Sequence, residues 1–388
     1  MISAERKTKY FSVIISLIPL LSSYRSPVPG VDMGTLCIIA FAVLTIRLVW
    51  NITDFMWLYA YVFFMTPVMF LISSDATGIS ITVILRYLKF IVILGCVFGL
   101  GYFKRYYKED IWFEAMWKCV IVNVIFVIMQ QACYALGMIL NNPLISLATN
   151  EAYIDGYDMG VRAGLFRPSG FFLEPSHLAL YMAVFMVYVL FSKNDLKKSL
   201  TACAAILATG SGMGLVLTVV IYCLYIVTVY RKHIIKAGAI LVIGILTFLN
   251  LKDTAYFVDV VNRIVTENIS GGGNAIQARI GRGYQFFFDK SWFERLLGTG
   301  YGNVPTGVYL NGLTYVINTL GIVGIVILTI VFIQYMRKGS RWQQIGILMI
   351  TGVLFLAQIF TPAYLAFFFC IYYNRSRSKT NKHKDGMG

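Results

Sequence analysis

Charge is scarce in this sequence: only 13% of its 388 residues are Asp, Glu, Lys or Arg, about half the share found in an ordinary soluble domain. With 58% hydrophobic residues and a mean hydropathy of +0.72, too little polar surface remains to clothe a soluble enzyme. Histidine is scarcer still. Its three copies, His177, His233 and His383, are spread too far apart to suggest a metal cluster. No P-loop, no GxSxG elbow and no HExxH helix occurs, which removes the common phosphate, serine-hydrolase and zinc-protease signatures. The seven cysteines all fall in apolar segments, so neither a disulfide framework nor a CxxC metal pattern is available. They read as small buried apolar residues.

Apolar runs long enough for a ~30 Å hydrocarbon core recur from end to end, predicting one integral membrane domain over 1–388. The fold class expected is all-α, a polytopic bundle of about twelve transmembrane helices. The spans fall near 11–22, 34–50, 55–72, 81–103, 112–140, 175–192, 196–210, 213–230, 237–251, 311–336, 344–360 and 362–373. The first follows a basic start (Arg6, Lys7, Lys9) without a strong cleavage signal and is read as an uncleaved helix. Parity then puts 20 of the 33 Lys and Arg on the side of the N-terminus and three in the short segments opposite, with six more in one long loop. That imbalance is the positive-inside pattern, and it places both termini in the cytoplasm. It also accounts for the net charge of +15 without nucleic acid. Basic clusters at both ends of 196–230 and of 344–373 favour hairpins turning at Thr209-Gly210-Ser211-Gly212 and at Thr361-Pro362.

The polar signal gathers in two outer loops, 141–174 and 252–310. In the first, Arg162 and Arg167 precede Glu174-Pro175-Ser176-His177. Proline suits a first helical position and pushes the residue before it out of the α region, so Glu174 should cap a helix at the outer boundary. A carboxylate there is stabilised by the helix dipole, about 0.3–1 kcal/mol. Its company of arginines, serine and histidine argues for more than a cap. In the second loop, the apolar spacing of 275–297 predicts a helix lying on the membrane face, with Arg279 and Arg282 on one side of it. Snorkelling explains such arginines as well as function does. Guanidinium forks also grip phosphate oxygens bidentately, and so suit a lipid-linked phosphate. The glycine turn Leu297–Asn303 is weak evidence for phosphate by itself. Arg86 and Lys89, three apart in the outer half of span four, are costly in a membrane and are expected to face a polar cavity.

Several segments together resemble the O-antigen polymerase and ligase superfamily: RPSGFFLEPSHLALY (167–181), ATGSGMGLVL (208–217), QARIGRG (277–283), LLGTGYGN (296–303) and NGLTYVINTLGIVGIV (311–326). The resemblance covers roughly 80–330, and the order of the elements relative to the spans matches. It implies about twelve helices, two large outer loops with short amphipathic helices, and a glycosyltransferase working without metal, cofactor or nucleotide sugar. Such an enzyme moves a glycan from undecaprenyl diphosphate at the outer face of a bacterial inner membrane. Ligases of the superfamily carry a histidine where this chain reads Tyr309-Leu310-Asn311-Gly312, and its absence favours a polymerase that joins lipid-linked oligosaccharide repeat units into O-antigen, capsule or another exopolysaccharide. On this reading Glu174 is the candidate base and His177 the second. Arg162, Arg167, Arg279 and Arg282 would neutralise the departing diphosphate. Arg86, Lys89, Tyr301 and Asn311 are candidate substrate-binding residues. A chain-length regulator is a possible partner of the polymerase. A ligase, and a flippase of lipid-linked glycans, are the alternatives. A flippase should show internal repeats and charges near mid-membrane, and neither is found.

Overall fold

The computed structural model describes residues 3–45, 56–72, 80–99, 102–149, 161–162, 165–229, 281–304, 310–355, 357 and 360–373. These are mostly helical. In chain order the helices are α1 (Ala4–Leu21), α2 (Met33–Thr45), α3 (Met56–Ile72), α4 (Ile81–Leu94), α5 (Tyr102–Tyr106), α6 (Glu109–Ala135), α7 (Pro175–Tyr188), α8 (Leu196–Ala208) and α9 (Gly212–Val229). They continue as α10 (Arg282–Phe288), α11 (Trp292–Leu297), α12 (Gly312–Lys338), α13 (Arg341–Leu354) and α14 (Pro362–Tyr373). Wide π turns extend α4 over Gly95–Gly99 and α7 over Val189–Lys193. Every expected span except 237–251, which lies outside the described residues, holds a helix. Among the described residues, Glu109–Ala135, Pro175–Lys193 and Gly312–Arg337 are long and apolar enough to cross a membrane. Met33–Thr45, Met56–Ile72 and Gly212–Thr228 are shorter apolar helices.

The chain divides into two compact units, one of 1–116 with 277–388 and the other of 117–276. In the second, α7 is the core, with every residue from Leu178 to Leu190 almost fully buried. A helix apolar on all sides can only be stable when surrounded. Residues of α8 and α9 pack on it, and a Cβ on Gly214 of α9 would collide with Ala179 of α7, so the missing side chain lets the two helices touch. The expected hairpin is present between α8 and α9. Ser199 meets Tyr222 at 2.8 Å, and the Gly214 position sits against Ile206, so partners lie symmetrically about Gly210. Gly210 itself turns with φ 57°, a conformation glycine adopts without strain.

In the first unit, α1 packs on α2, α5 and α14, while α12 receives α3, α10, α11 and α13. The single surface helix expected over 275–297 is instead two short helices among the described residues, and Arg279 lies outside them. A capping box made by Ser291 and Glu294 starts α11 afresh and divides it from α10. Helix α12 breaks at Gly321, where φ is 67° and ψ −170°. Its first stretch is buried from Thr314 to Leu320 except at the half-buried Ile317. Its second shows an exposed stripe at Ile322, Val326, Ile330 and Ile333.

Candidate functional site

The RPSGFFLEPSH segment forms a strap over the end of α6, and two buried amides of that helix hold it down. Asn123 Oδ1 accepts from the Phe171 amide at 2.9 Å, and Gln130 Oε1 accepts from the Gly170 amide at 3.0 Å. Gly170 is needed here, because a Cβ would stand 2.5 Å from Asn123 Oδ1 and φ is 61°. Aromatic rings fix the strap's edges: Phe171 stacks on Phe126 with centroids 4.5 Å apart, and Phe166 on Tyr134 at 4.7 Å. Asn142 closes the far side, donating to the Phe172 carbonyl at 3.5 Å and accepting from the Leu144 amide at 2.9 Å.

Between strap and helix lies a small open cleft. Gln130, Asn141, Asn142, Arg167 and Ser169 supply its polar lining, and Phe166, Leu173 and Pro175 much of the apolar wall. Arg167 is the one charged side chain in that lining, and it is half-buried. Upstream of it a two-residue antiparallel pair, β1 (Val161–Arg162) with β2 (Leu165–Phe166), sets Arg162 opposite Leu165. One cation, several amides and a hydroxyl beside aromatic and proline surface suit an anionic, hydroxyl-rich ligand.

Leu173 and Pro175, the neighbours of Glu174, both line this cleft. Glu174 occupies the cap position of α7 with extended geometry, and Pro175 opens the helix, as the sequence predicts. The capping bond itself is not made by the side chain. Instead the Ser176 hydroxyl donates to Glu174 Oε2 at 2.9 Å, while the Glu174 carbonyl accepts from the His177 and Leu178 amides. The carboxylate is thus held by its neighbour's hydroxyl, half-buried at the start of α7, and His177 stands in the same first turn.

Arg86, Lys89, Tyr301 and Asn311 belong to the first unit, and each of these four finds a protein partner there. Arg86 Nη1 donates to the Gly302 carbonyl at 3.3 Å. Lys89 pairs with Asp32 at 3.1 Å. Each cation thus has a protein partner, while Arg86 stays exposed and Lys89 half-buried. Tyr301 is buried among Phe90, Tyr315 and Phe360, and its hydroxyl donates to the Phe360 carbonyl at 3.2 Å. Burial pushes its phenol well above the usual value. Asn311 caps α12, accepting from the Thr314 amide at 2.8 Å and donating to the Phe355 carbonyl. Tyr301 and Asn311 therefore serve packing. Arg282 opens α10, next to a Gly283 whose missing side chain makes room for Thr314.

The glycine turn 297–303 is likewise structural. Five of its amides are occupied: Gly298 donates to Glu294, Thr299 to Asn318, Gly300 to Thr319, Tyr301 to Thr66 and Asn303 to Gly300. A phosphate cradle needs such amides free.

Sequence reasoning missed Gln130, Asn141 and Asn142, which line the cleft, and Asn123, which holds the strap. The signal was present: Asn123 and Gln130 are amide side chains inside a long apolar helix, expensive there unless something uses them. Among the described residues no group of three His, Cys, Asp or Glu could hold a metal ion. No protein-family model matches the chain, and no curated protein matches it either.

Proposed function

We propose that this membrane protein is a polysaccharide polymerase, transferring a nascent glycan from undecaprenyl diphosphate onto a lipid-linked repeat unit at the outer face of a bacterial inner membrane. The reading combines the motif resemblance with one observation: the RPSGFFLEPSH segment builds a cleft that carries a single cation and whose wall residues Leu173 and Pro175 flank Glu174 in the chain. Parity of the basic loops supports twelve spans with both termini inside, which puts the strap and α10–α11 on the outer side.

In the proposed reaction a hydroxyl of the incoming repeat unit attacks the anomeric carbon of the nascent chain. The bond from that carbon to the phosphate oxygen breaks, and undecaprenyl diphosphate departs. Arg167, with Arg162 of the paired strand just before it, stabilises charge on the leaving diphosphate. Glu174 takes the hydroxyl proton, with His177 as the second candidate. The Ser176 hydroxyl, bonded to Glu174 Oε2, aims the carboxylate.

The test is polymerisation of purified lipid-linked repeat units by the protein in liposomes. Wild type should yield long polymer, Glu174→Gln and Arg167→Ala no more than about a hundredth of it, since one base or one charge contact contributes about 10²-fold or more. Full-length polymer from both variants overturns the site. In cells lacking the protein, single lipid-linked repeats accumulate if it is a polymerase. Long unattached chains would identify a ligase instead.

A further inference from the structure

The turn between α10 and α11 carries three large aromatic side chains outward. Phe288 is 64% exposed, Trp292 69% and Phe293 44%. The opposite side of the same turn is buried: Phe287, Lys290 and Glu294 all face the protein. The remaining exposed residues here, Gln285, Asp289 and Ser291, are short or uncharged apart from one aspartate. Large amphipathic aromatics beside small polar groups are the composition of a membrane–water boundary.

Two neighbouring surfaces show what covers this patch. At the end of α11, Leu296 and Gly298 abut α12 at Gly321, and that is where α12 changes character. Before Gly321 the helix is enclosed by protein. After it the apolar stripe Ile322, Val326, Ile330 and Ile333 is bare. Two residues further on, Gly300 lies against the ring of Phe70 at the end of α3, next to Leu71 at 85% and Ile72 at 54% exposure. The bare faces of two apolar helices thus converge on the segment that follows the aromatic turn. A surface continuous with lipid-facing stripes on both sides is covered by lipid.

We infer that Phe288, Trp292 and Phe293 form an in-plane anchor that docks the α10–α11 turn into the boundary between headgroups and acyl chains of the bilayer. The anchor fixes the height of Arg282, at the head of α10, relative to the headgroups. It needs only a membrane and stands whether or not the transferase reading does.

The experiment compares tryptophan quenching of the full-length wild-type protein and Trp292→Phe in nanodiscs of phosphatidylcholine, with bromine placed shallow or deep on the acyl chains, against aqueous iodide. The share of emission lost in Trp292→Phe should be quenched by brominated lipid, more strongly by shallow bromine, and spared by iodide. If that share responds to iodide and not to bromine, the turn stands in water and the inference fails. If it responds to neither, a protein partner or a second copy covers the patch, and the inference fails equally. A Phe288→Trp variant on the Trp292→Phe background repeats the measurement from the neighbouring position and should give the same ranking of quenchers.

Discussion

The ammonium of Lys290 donates to the main-chain carbonyl of Asn318 at 3.0 Å, three residues before α12 breaks at Gly321. A broken helix frees carbonyls that would otherwise accept from the next turn. Here Lys290, the Thr299 amide and the Thr299 hydroxyl converge on the Asn318 carbonyl, while Gly300 serves Thr319 and the Tyr61 hydroxyl serves Leu320. Lys290 is buried and also lies over the Phe286 ring at 4.6 Å. Lys290→Met keeps the stem and deletes the charged donor. It should destabilise the protein by about 1.5–3 kcal/mol, the range for bonds to charged groups. Thermal unfolding in detergent measures this, and an unchanged midpoint would show the contact to be idle.

Glycines at the break and away from it should respond in opposite directions. A Cβ on Gly298 would collide with the Thr319 carbonyl, and one on Gly321 with the Leu296 carbonyl, both main-chain atoms with nowhere to go. Both glycines also have positive φ, 81° and 67°. Alanine at either should cost well over the ~1–2 kcal/mol of a left-handed conformation alone. Gly352, within α13, has nothing within 4 Å of its would-be Cβ. Gly352→Ala should therefore raise stability by about 0.5–1 kcal/mol. Unfolding midpoints of the three variants decide the matter.

Asn123 holds the strap through its amide: Oδ1 accepts from Phe171, and Nδ2 donates to the Cys119 carbonyl at 2.9 Å. Asn123→Ala strands a buried amide and should cost about 1–3 kcal/mol. Asn123→Asp keeps the acceptor and should preserve the strap better, at the expense of a buried charge. Protease sensitivity of 165–174 reports strap release directly. Cleavage there should rise in Asn123→Ala without a matching rise between α8 and α9.

Much of the helical layout is legible in one dimension, because a membrane helix is written as an apolar run with basic ends. The turn at Gly210 and the start of α7 at Pro175 follow from local chemistry, and both stand where expected. The break in α12 is not legible. No proline marks it, and the run NTLGIVGIV is uniformly permissive until Gly298 is seen pressed against Gly321. Nor could spacing reveal that Arg86 would find a carbonyl 216 residues away. The glycine turn misleads for the same reason: its amides look available until their partners on α12 and α3 are known.

Asp195 caps α8, accepting from the Lys198 amide at 3.1 Å and pairing with the Lys198 ammonium at 3.0 Å. The amide bond, aided by the ammonium, holds its carboxyl below the usual aspartate value. A lowered folded pKa means the cap contributes fully above the ordinary value of about 3.9 and is lost as pH falls through the lower folded one. Asp195→Ala should cost about 1 kcal/mol near neutrality. The gap between wild type and variant should close on acidification below pH ~3.9, and a gap independent of pH would assign the loss to packing.

The Lys89–Asp32 pair should prove lopsided. Asp32 is buried and engaged three times: Oδ1 takes the Thr35 amide at 2.8 Å, and Oδ2 takes the Thr35 hydroxyl at 2.9 Å and Lys89 at 3.1 Å. Its side chain therefore caps α2 whether or not the lysine is present. Lys89 is 29% exposed, so its half of the interaction is partly screened by solvent. Lys89→Met should cost about 1 kcal/mol or less, because two donors from Thr35 still satisfy the carboxylate. Asp32→Ala should cost about 2–3 kcal/mol, losing the cap and stranding a cation beside an apolar helix. In the double variant the cation is gone too, so the combined loss should fall short of the two single losses added together. A double-mutant cycle on unfolding free energies reads that shortfall, and strictly additive losses would mean the ion pair contributes nothing beyond the cap.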